Sequence, residues 1–170
     1  MKDFFNEFRN DHRQIRDLIM NLITAFIQND MVKADKLTDK LNLVAGPHFQ
    51  FEEEVLYPEL IPLYGSKYIN KLYIDHDLVI ARVNKLKELI DKWHLNSEEC
   101  EIEKNLCEGL LPHLSDCEGL SIMVETFNDK KIDSITRAME KARTNSMDLL
   151  VWADNERNRN MLSIITNLKI

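Results

Sequence analysis

The amino-acid sequence predicts an all-α protein. Glycine and proline occur four times each in 170 residues, and no stretch alternates β-branched and polar residues as a half-buried strand does. Apolar residues instead recur every three or four positions in four long stretches, a spacing that places them on one face of an α-helix. A chain of this length buries one core. We therefore expect an up-and-down antiparallel four-helix bundle with extra C-terminal helices.

The first two predicted helices each carry an apolar stripe that a histidine interrupts, His12 in the first and His48 in the second. The first stripe comprises Phe5, Phe8, Ile15, Ile19, Leu22 and Phe26, and the second comprises Leu37, Leu41, Val44, Phe51 and Val55. We expect the second helix to end near Tyr57-Pro58, because proline cannot donate the backbone hydrogen bond that continues a helix.

The third and fourth helices repeat this arrangement, with His76 and His113 inside their stripes. The third stripe comprises Ile69, Leu72, Val79, Val83, Leu86, Ile90 and Trp93, and the fourth comprises Ile102, Leu106, Leu110, Cys117, Leu120, Val124 and Phe127. Polar or Pro/Gly-marked breaks fall around residues 29–30, 61–66 and 94–97, and connections this short join antiparallel neighbours.

The remainder of the chain predicts further helices. A short one runs through Ile132, Ile135 and Met139, and a longer one extends from about Met147 to Leu168. We divide the chain into a bundle over residues 1–128 and a helical extension over 129–170, packed on the bundle or on a second copy of the chain in a homodimer.

The composition argues against several classes of function. The net charge is −7 with both signs interspersed, so there is no basic stripe for nucleic acid. The chain has no apolar leader and no run of 18 apolar residues, which predicts a cytoplasmic protein outside the membrane. Three cysteines without a C-x-x-C pair predict reduced thiols rather than a disulfide framework.

The four histidines are predicted to lie at one height in the bundle. Residues on antiparallel neighbours are level when they are equally far from the turn that joins their helices. The midpoints between successive histidines fall at position 30, at position 62 and between positions 94 and 95, which are the breaks identified above. Four buried imidazoles without partners would leave donors and acceptors unsatisfied. The pattern therefore favours a metal site over structural histidines.

A weak internal repeat supports a pair of metal ions. Asp11-His12 matches Asp75-His76 at an offset of 64, and Pro47-His48 matches Pro112-His113 at an offset of 65. Each half is then a helical hairpin with one histidine on each arm. Two such hairpins facing each other would enclose a site with approximate two-fold symmetry.

Acidic residues beside the histidines complete a ligand set. Glu52 follows His48 by four residues, about 40° round the helix, so both side chains can reach one point. Imidazole with carboxylate favours iron, with manganese or zinc less favoured, and a carboxylate that bridges two ions explains a site spanning the whole bundle.

The carboxylate of the fourth helix is less directly indicated. Glu118 follows His113 by five residues and would point about 140° away from it on an ideal helix. It converges only if the helix is widened locally by a π-bulge, which the proline and glycine within residues 112–119 would favour. We select Glu118, with Asp116 and Cys117 as alternatives.

These motifs resemble the hemerythrin and HHE cation-binding family over about residues 1–127. The matching segments are Asp11-His12, His48-x-x-x-Glu52, Asp75-His76 and His113-x-x-x-x-Glu118. The resemblance implies two non-haem iron ions, oxo- or hydroxo-bridged, with ligands His12, His48, Glu52, His76, His113 and Glu118.

The resemblance also bears on function. Oxygen-carrying members have a second ligand histidine on the third helix, where this chain has Ile80. One iron would then keep an open position for water, O2 or NO, in a pocket lined by side chains such as Ile15, Phe49 and Ile80. We expect binding or sensing of O2 or NO. The alternatives are a diiron enzyme that reduces NO or peroxide or supports iron–sulfur cluster repair, and a structural adaptor bundle.

Overall fold

The computed structural model describes residues 3–90 and 95–157. Within these residues the chain forms helices joined by short connections. The helices are α1 (Phe4–Ile27), α2 (Met31–Phe51), a π-helical turn (Glu52–Leu56), α3 (Tyr57–Tyr64), α4 (Ser66–Ile90), α5 (Ser97–Glu108), α6 (Leu111–Val124), α7 (Asp129–Asn145) and α8 (Leu149–Asn155). Helices α1 to α6, together with the π turn, form the arms of the bundle, which confirms the predicted fold class. None of the described helices has an apolar stretch long enough to cross a membrane.

Short polar side chains set the beginnings of the helices. Asp30 caps α2 by accepting a hydrogen bond from the backbone N–H of Lys33 at 3.0 Å. Asn29, immediately before it, adopts the left-handed conformation with φ 52°, which asparagine tolerates better than most residues. Asn96 and Asn128 cap α5 and α7 in the same way. The breaks predicted around residues 29–30 and 94–97 therefore have a local chemical cause.

The second arm is longer than its sequence predicted. It does not stop at Pro58 but continues through the π turn Glu52–Leu56 into α3 and ends at Gly65, whose φ is 79°. The prediction failed because the π turn lies just before Pro58, and the carbonyl of Glu53, five residues before Pro58, accepts a hydrogen bond from the hydroxyl of Tyr73 at 2.9 Å instead of from a backbone N–H.

The fourth arm is broken where the sequence predicted a continuous helix. Residues 109 and 110 form a turn between α5 and α6. Two further predictions extend beyond the described residues: Trp93, in the third stripe, and the part of the last helix that runs to Leu168. Within the described part, α8 begins at Leu149 rather than Met147.

Helices α7 and α8 pack against the bundle, chiefly on α2. Trp152 of α8 is fully buried in the same apolar cluster as residues of α1, α2 and α4. Gly46 permits this contact, because a Cβ there would overlap the carbonyl oxygen of Met147. Asn42, also on α2, accepts a hydrogen bond from the backbone N–H of Leu150 at 3.0 Å.

The core consists of two apolar clusters with the histidines between them. On α1, His12 lies between Phe8 in one cluster and Ile15 in the other. On α4, His76 lies between Tyr73 and Val79 in the same order. The polar level at the middle of the bundle is thus enclosed by apolar side chains above and below.

Candidate metal centre

The four histidines meet in the bundle interior as two pairs. The ring centroids of His12 and His48 are 4.6 Å apart, and those of His76 and His113 are 4.5 Å apart. All four are at most 5% exposed. Phe49 stacks on His76 with its ring centroid 3.9 Å away. The predicted common height of the histidines is therefore confirmed.

Glu52 lies between the two pairs and is fully buried. Its Oε1 atom is 3.4 Å from Nε2 of His48 and 4.0 Å from Nε2 of His12. Its Oε2 atom is 3.1 Å from Nε2 of His76. One carboxylate thus presents one oxygen to each histidine pair, which is the geometry of a bridging ligand.

The π-helical turn begins at Glu52 and coincides with two successive buried carboxylates. On an α-helix, consecutive side chains point about 100° apart, so a helix rarely buries two acidic neighbours. Here Glu53 is 6% exposed, and its Oε1 atom lies 2.7 Å from Nδ1 of His76. Widened turns of this kind occur often at functional sites.

The outward-facing nitrogens of two other histidines also have partners. Nδ1 of His12 lies 3.0 Å from the carbonyl oxygen of Phe8, so it carries the proton and donates. Nδ1 of His48 makes an ion-pair contact of 3.4 Å with Asp11, without hydrogen-bond geometry. Nε2 of both histidines and Oε1 of Glu52 are buried without hydrogen-bond partners. These unsatisfied atoms lie close together, because Oε1 of Glu52 is within 4.0 Å of both nitrogens, as the donors of a metal site are.

Tyr57 and Cys117 also belong to the site. The hydroxyl of Tyr57 is 3.0 Å from Nε2 of His76 and 3.3 Å from both Oε2 of Glu52 and Sγ of Cys117. Sγ of Cys117 lies 3.4 Å from Nε2 of His113. Burial, together with the nearby negative groups, raises the pKa of both Tyr57 and Cys117, so each is protonated before metal binds.

Tyr57 was not predicted as a site residue from the sequence, whereas Cys117 was an alternative to Glu118. The π turn explains the omission: the backbone N–H of Tyr57 bonds to the carbonyl of Glu52, five residues earlier, so Tyr57 lies directly over Glu52. The internal repeat would have favoured Cys117, because His113-x-x-x-Cys117 has the same spacing as His48-x-x-x-Glu52.

The structure does not bring Glu118 into this cluster. Its side chain is partly exposed, and α6 is a regular α-helix over Leu111–Val124, so the widening predicted there is absent and Glu118 points away from His113. The π turn lies instead on the second arm. Asp116 pairs with Lys71 at 2.7 Å on the surface.

The donors divide into two sets that share Glu52. One set comprises His12, His48 and Glu52, and the other comprises Glu52, His76, His113 and Cys117. Within each set, one ligand atom per residue lies within 4.8 Å of all the others. Two donors bound to one ion at about 2.1 Å lie no more than about 4.2 Å apart. Small side-chain adjustments would therefore let each set close around an ion.

The site holds two histidines neutral. Burial and the positive charge on His48 lower the pKa of His12 to about 4. Burial and the charge on His76 lower the pKa of His113 well below its ordinary value. Neutral imidazole is the form that binds a metal ion, so these two histidines are ready to coordinate without losing a proton.

The other two histidines are balanced by carboxylates. Burial opposes charge at His48 and at His76, but Glu52 with Asp11 raises the pKa of His48, and Glu52 with Glu53 raises the pKa of His76. Burial alone would raise the pKa of Glu52, because it disfavours the charged carboxylate, yet the neighbouring imidazolium groups lower this pKa below its usual range. In the absence of metal, protons on these histidines compensate the buried carboxylates.

A small apolar cavity adjoins the second donor set. It has a volume of about 10 Å³, room for one water-sized molecule. The expected residues Ile15 and Phe49 line it, whereas Ile80 is not among the described lining residues. Its wall also includes Ala45, Val83, Leu110 and His113.

A helical bundle with a buried cluster of histidines and a carboxylate is typical of metal-binding helical proteins. Comparison with protein families gives the same result, because the profile of the hemerythrin HHE cation binding domain matches residues 3–120. The chain belongs to this family. Comparisons with curated proteins and with solved structures returned no significant match.

Proposed function

We propose that this protein holds two non-haem iron ions in the bundle core and binds or senses O2 or NO there. The observation that carries the proposal is the position of Glu52, whose two carboxylate oxygens face two separate histidine pairs. A single-metal site would not need a buried carboxylate shared in this way.

The proposed ligands follow the two donor sets. His12, His48 and Oε1 of Glu52 would hold one ion, and His76, His113 and Oε2 of Glu52 would hold the other. Cys117 takes the place for which the sequence suggested Glu118. Imidazole and carboxylate donors favour iron, manganese or zinc over magnesium or calcium, and the sulfur of Cys117 suits iron or zinc better than manganese.

Gas binding is supported by the sparse ligand set and the apolar cavity. Each ion would have at most two imidazoles, and a side chain at position 80 cannot add a third, because isoleucine has no donor atom. The cavity beside His113 has room for one small molecule and an almost entirely apolar wall. Bound iron supplies the affinity for gas, and the surrounding residues exclude bulk water.

Rapid mixing tests this function. Iron-loaded, chemically reduced protein is mixed with O2 or with NO, and the absorption spectrum is followed. We expect a spectral change that saturates near one gas molecule per site. Indifference to both gases, in protein that contains iron, would overturn the proposal.

Filling the cavity provides a matched pair of variants. Ala45→Val adds two methyl groups at the cavity wall and should slow the gas reaction without changing the iron content. Ala25→Val adds the same volume at another fully buried alanine in the same apolar cluster, away from the cavity lining. Equal gas kinetics in the two variants would rule out the cavity as the binding place.

Reduction of NO or peroxide is the second candidate, favoured by Tyr57 and Cys117 beside the second donor set. A phenol and a thiol 3.3 Å apart can each donate a proton and an electron to a bound oxidant. Multiple turnovers with a supplied reductant, reduced in Tyr57→Phe, would support an enzyme. A single stoichiometric reaction would support binding or sensing.

A further inference from the structure

Two arginines from the C-terminal helices reach the carboxylates that contact the site histidines. Nη2 of Arg143, on α7, donates to Oδ1 of Asp11 at 2.7 Å, and Oδ2 of Asp11 faces Nδ1 of His48 at 3.4 Å. This gives a chain of contacts from arginine to carboxylate to imidazole. It connects α7 with the first histidine pair.

A second chain of contacts has the same order. Arg157, just after α8, donates from Nη2 to Oε1 of Glu53 at 2.7 Å and from Nε to Oε2 at 2.9 Å. Oε1 of Glu53 in turn lies 2.7 Å from Nδ1 of His76. The arginine is 9% exposed and also pairs with Asp77, so it is held by two carboxylates.

The two chains serve equivalent positions. The first ends at Nδ1 of His48, in one histidine pair, and the second ends at Nδ1 of His76, in the other pair. Nε2 of each of these histidines faces Glu52, at 3.4 Å for His48 and 3.1 Å for His76. Both arginines lie beyond residues 3–120, the part that matches the family profile. The C-terminal helices thus add to the site something the matched region does not contain.

The packing of these helices fixes where the arginines lie. On α7, Ile135 and Met139 are buried in the apolar cluster that contains Cys117. On α8, Trp152 is fully buried, and the guanidinium of Arg157 lies over its ring at 5.8 Å. The packing of α7 and α8 on the bundle therefore holds both arginines in place.

We propose that residues 129–157 form a positioning arm, in which Arg143 and Arg157 orient His48 and His76 through Asp11 and Glu53. Glu53 accepts a hydrogen bond from Nδ1–H of His76, and Asp11 lies at ion-pair distance from Nδ1 of His48, so each carboxylate favours the proton on Nδ1 and leaves Nε2 directed at Glu52. Groups that hold ligand histidines in this way typically contribute about 10- to 100-fold to metal affinity. The inference rests on the proposed metal site.

Metal release tests the arm directly. Wild-type protein, Arg143→Gln and Arg157→Gln are loaded with iron, and the rate of transfer to a chelator is measured. Arg137→Gln is the control, because Arg137 is an exposed arginine on α7. We expect both test variants to release metal about 10- to 100-fold faster than wild type and the control to match wild type. Wild-type release rates in folded test variants would overturn the proposal.

Arg157→Lys separates orientation from charge. Lysine keeps the positive charge next to Glu53 and so protects the fold, but it cannot reproduce the two-pronged contact. We expect a release rate between those of wild type and Arg157→Gln. A rate equal to that of Arg157→Gln at unchanged stability would also support orientation, whereas a rate equal to wild type would show that charge alone matters and contradict the proposal.

A measurement on metal-free protein distinguishes failure of the arm from failure of the metal site. Nitrogen-15 NMR, at a pH where the imidazoles are neutral, reports which ring nitrogen carries the proton. We expect the Nδ1–H tautomer for His48 and His76 in wild type and a mixture in the respective arginine variants. If wild type holds no metal but the arginine variants show this change, the proposed function is wrong and the positioning role of the arm stands. If the tautomers are unchanged in the variants, the positioning role is wrong.

Discussion

Cys117 occupies the position that the internal repeat pairs with Glu52, four residues after a histidine. It thereby replaces a carboxylate with a thiol that is fully buried and protonated until a metal displaces the proton. The two halves of the site are therefore chemically unequal. One half has only nitrogen and oxygen donors, and the other adds sulfur and the phenol of Tyr57.

Cobalt substitution tests the role of the thiol. Protein loaded with Co²⁺ should show a near-ultraviolet charge-transfer band from thiolate to metal, and Cys117→Ala should lose it. Cys107→Ala is the control, because Cys107 is equally buried but lies in the other apolar cluster. A band that persists in Cys117→Ala and disappears in the control would contradict the assignment.

His12 makes the metal-free protein sensitive to acid. Its pKa is about 4 in the folded chain, below the value of about 6.5 for unfolded histidine. The unfolded state therefore binds the proton first, and stability falls as pH decreases from 6.5 towards 4. Between pH 7 and pH 5 this group alone should remove about 2 kcal/mol from the free energy of unfolding.

Urea unfolding of metal-free wild type and His12→Gln at pH 7 and pH 5 measures this contribution. The pH-dependent loss should be smaller in the variant, because glutamine does not titrate in this range. An equal or larger loss in the variant would show that His12 is not kept neutral by burial.

At the level of helices, the junction between α2 and α8 depends on the absence of a side chain at position 46. A Cβ there would lie 2.6 Å from the backbone nitrogen of Leu149, closer than such atoms approach. Because backbone cannot move aside as a side chain can, Gly46→Ala should push α8 away from α2. The expected loss is about 1–3 kcal/mol in the free energy of unfolding.

Gly119→Ala supplies the opposite expectation. Gly119 lies within α6 with nothing within 4 Å of an added Cβ, so alanine should stabilise the helix by about 0.5–1 kcal/mol. Thermal or urea unfolding of both variants decides the point. Similar effects of the two substitutions would contradict the close contact at Gly46.

The π turn is the element that links local structure to the site. Its first residue is the shared carboxylate Glu52, and it lays Tyr57 over that carboxylate. The segment Glu52–Leu56 has no glycine, proline or other mark that predicts widening. Sequence reasoning therefore placed the widening on the fourth arm, near Gly119, where the helix is regular.

For the molecule as a whole, folding and metal binding are interdependent because the bundle buries the six residues of the two donor sets, which are His12, His48, Glu52, His76, His113 and Cys117. A ligand present at 100 times its Kd stabilises the folded state by about 2.7 kcal/mol. In a domain of this size that corresponds to an increase of about 5–10 °C in Tm. Scanning calorimetry of the iron-loaded protein before and after chelation should show this difference, and an identical Tm would argue against binding in the core.

The sequence predicted those features that depend on periodicity along one helix. The stripes placed His12, His48, His76 and His113 on the inner faces, their distances from the turns placed them at one level, and four-residue spacing placed Glu52 beside them. Features that depend on contacts between distant segments were not predicted. Arg157 is 104 residues from Glu53, and no local pattern relates the two.

Metal stoichiometry tests the central claim most directly. Protein produced with iron supplementation should contain about two iron ions per chain, and Glu52→Gln, which removes the shared charge and one donor oxygen, should retain one or none. Glu54→Gln, at an exposed carboxylate two residues away, should keep two. One ion in the wild type, or two in Glu52→Gln, would contradict a metal pair bridged by Glu52.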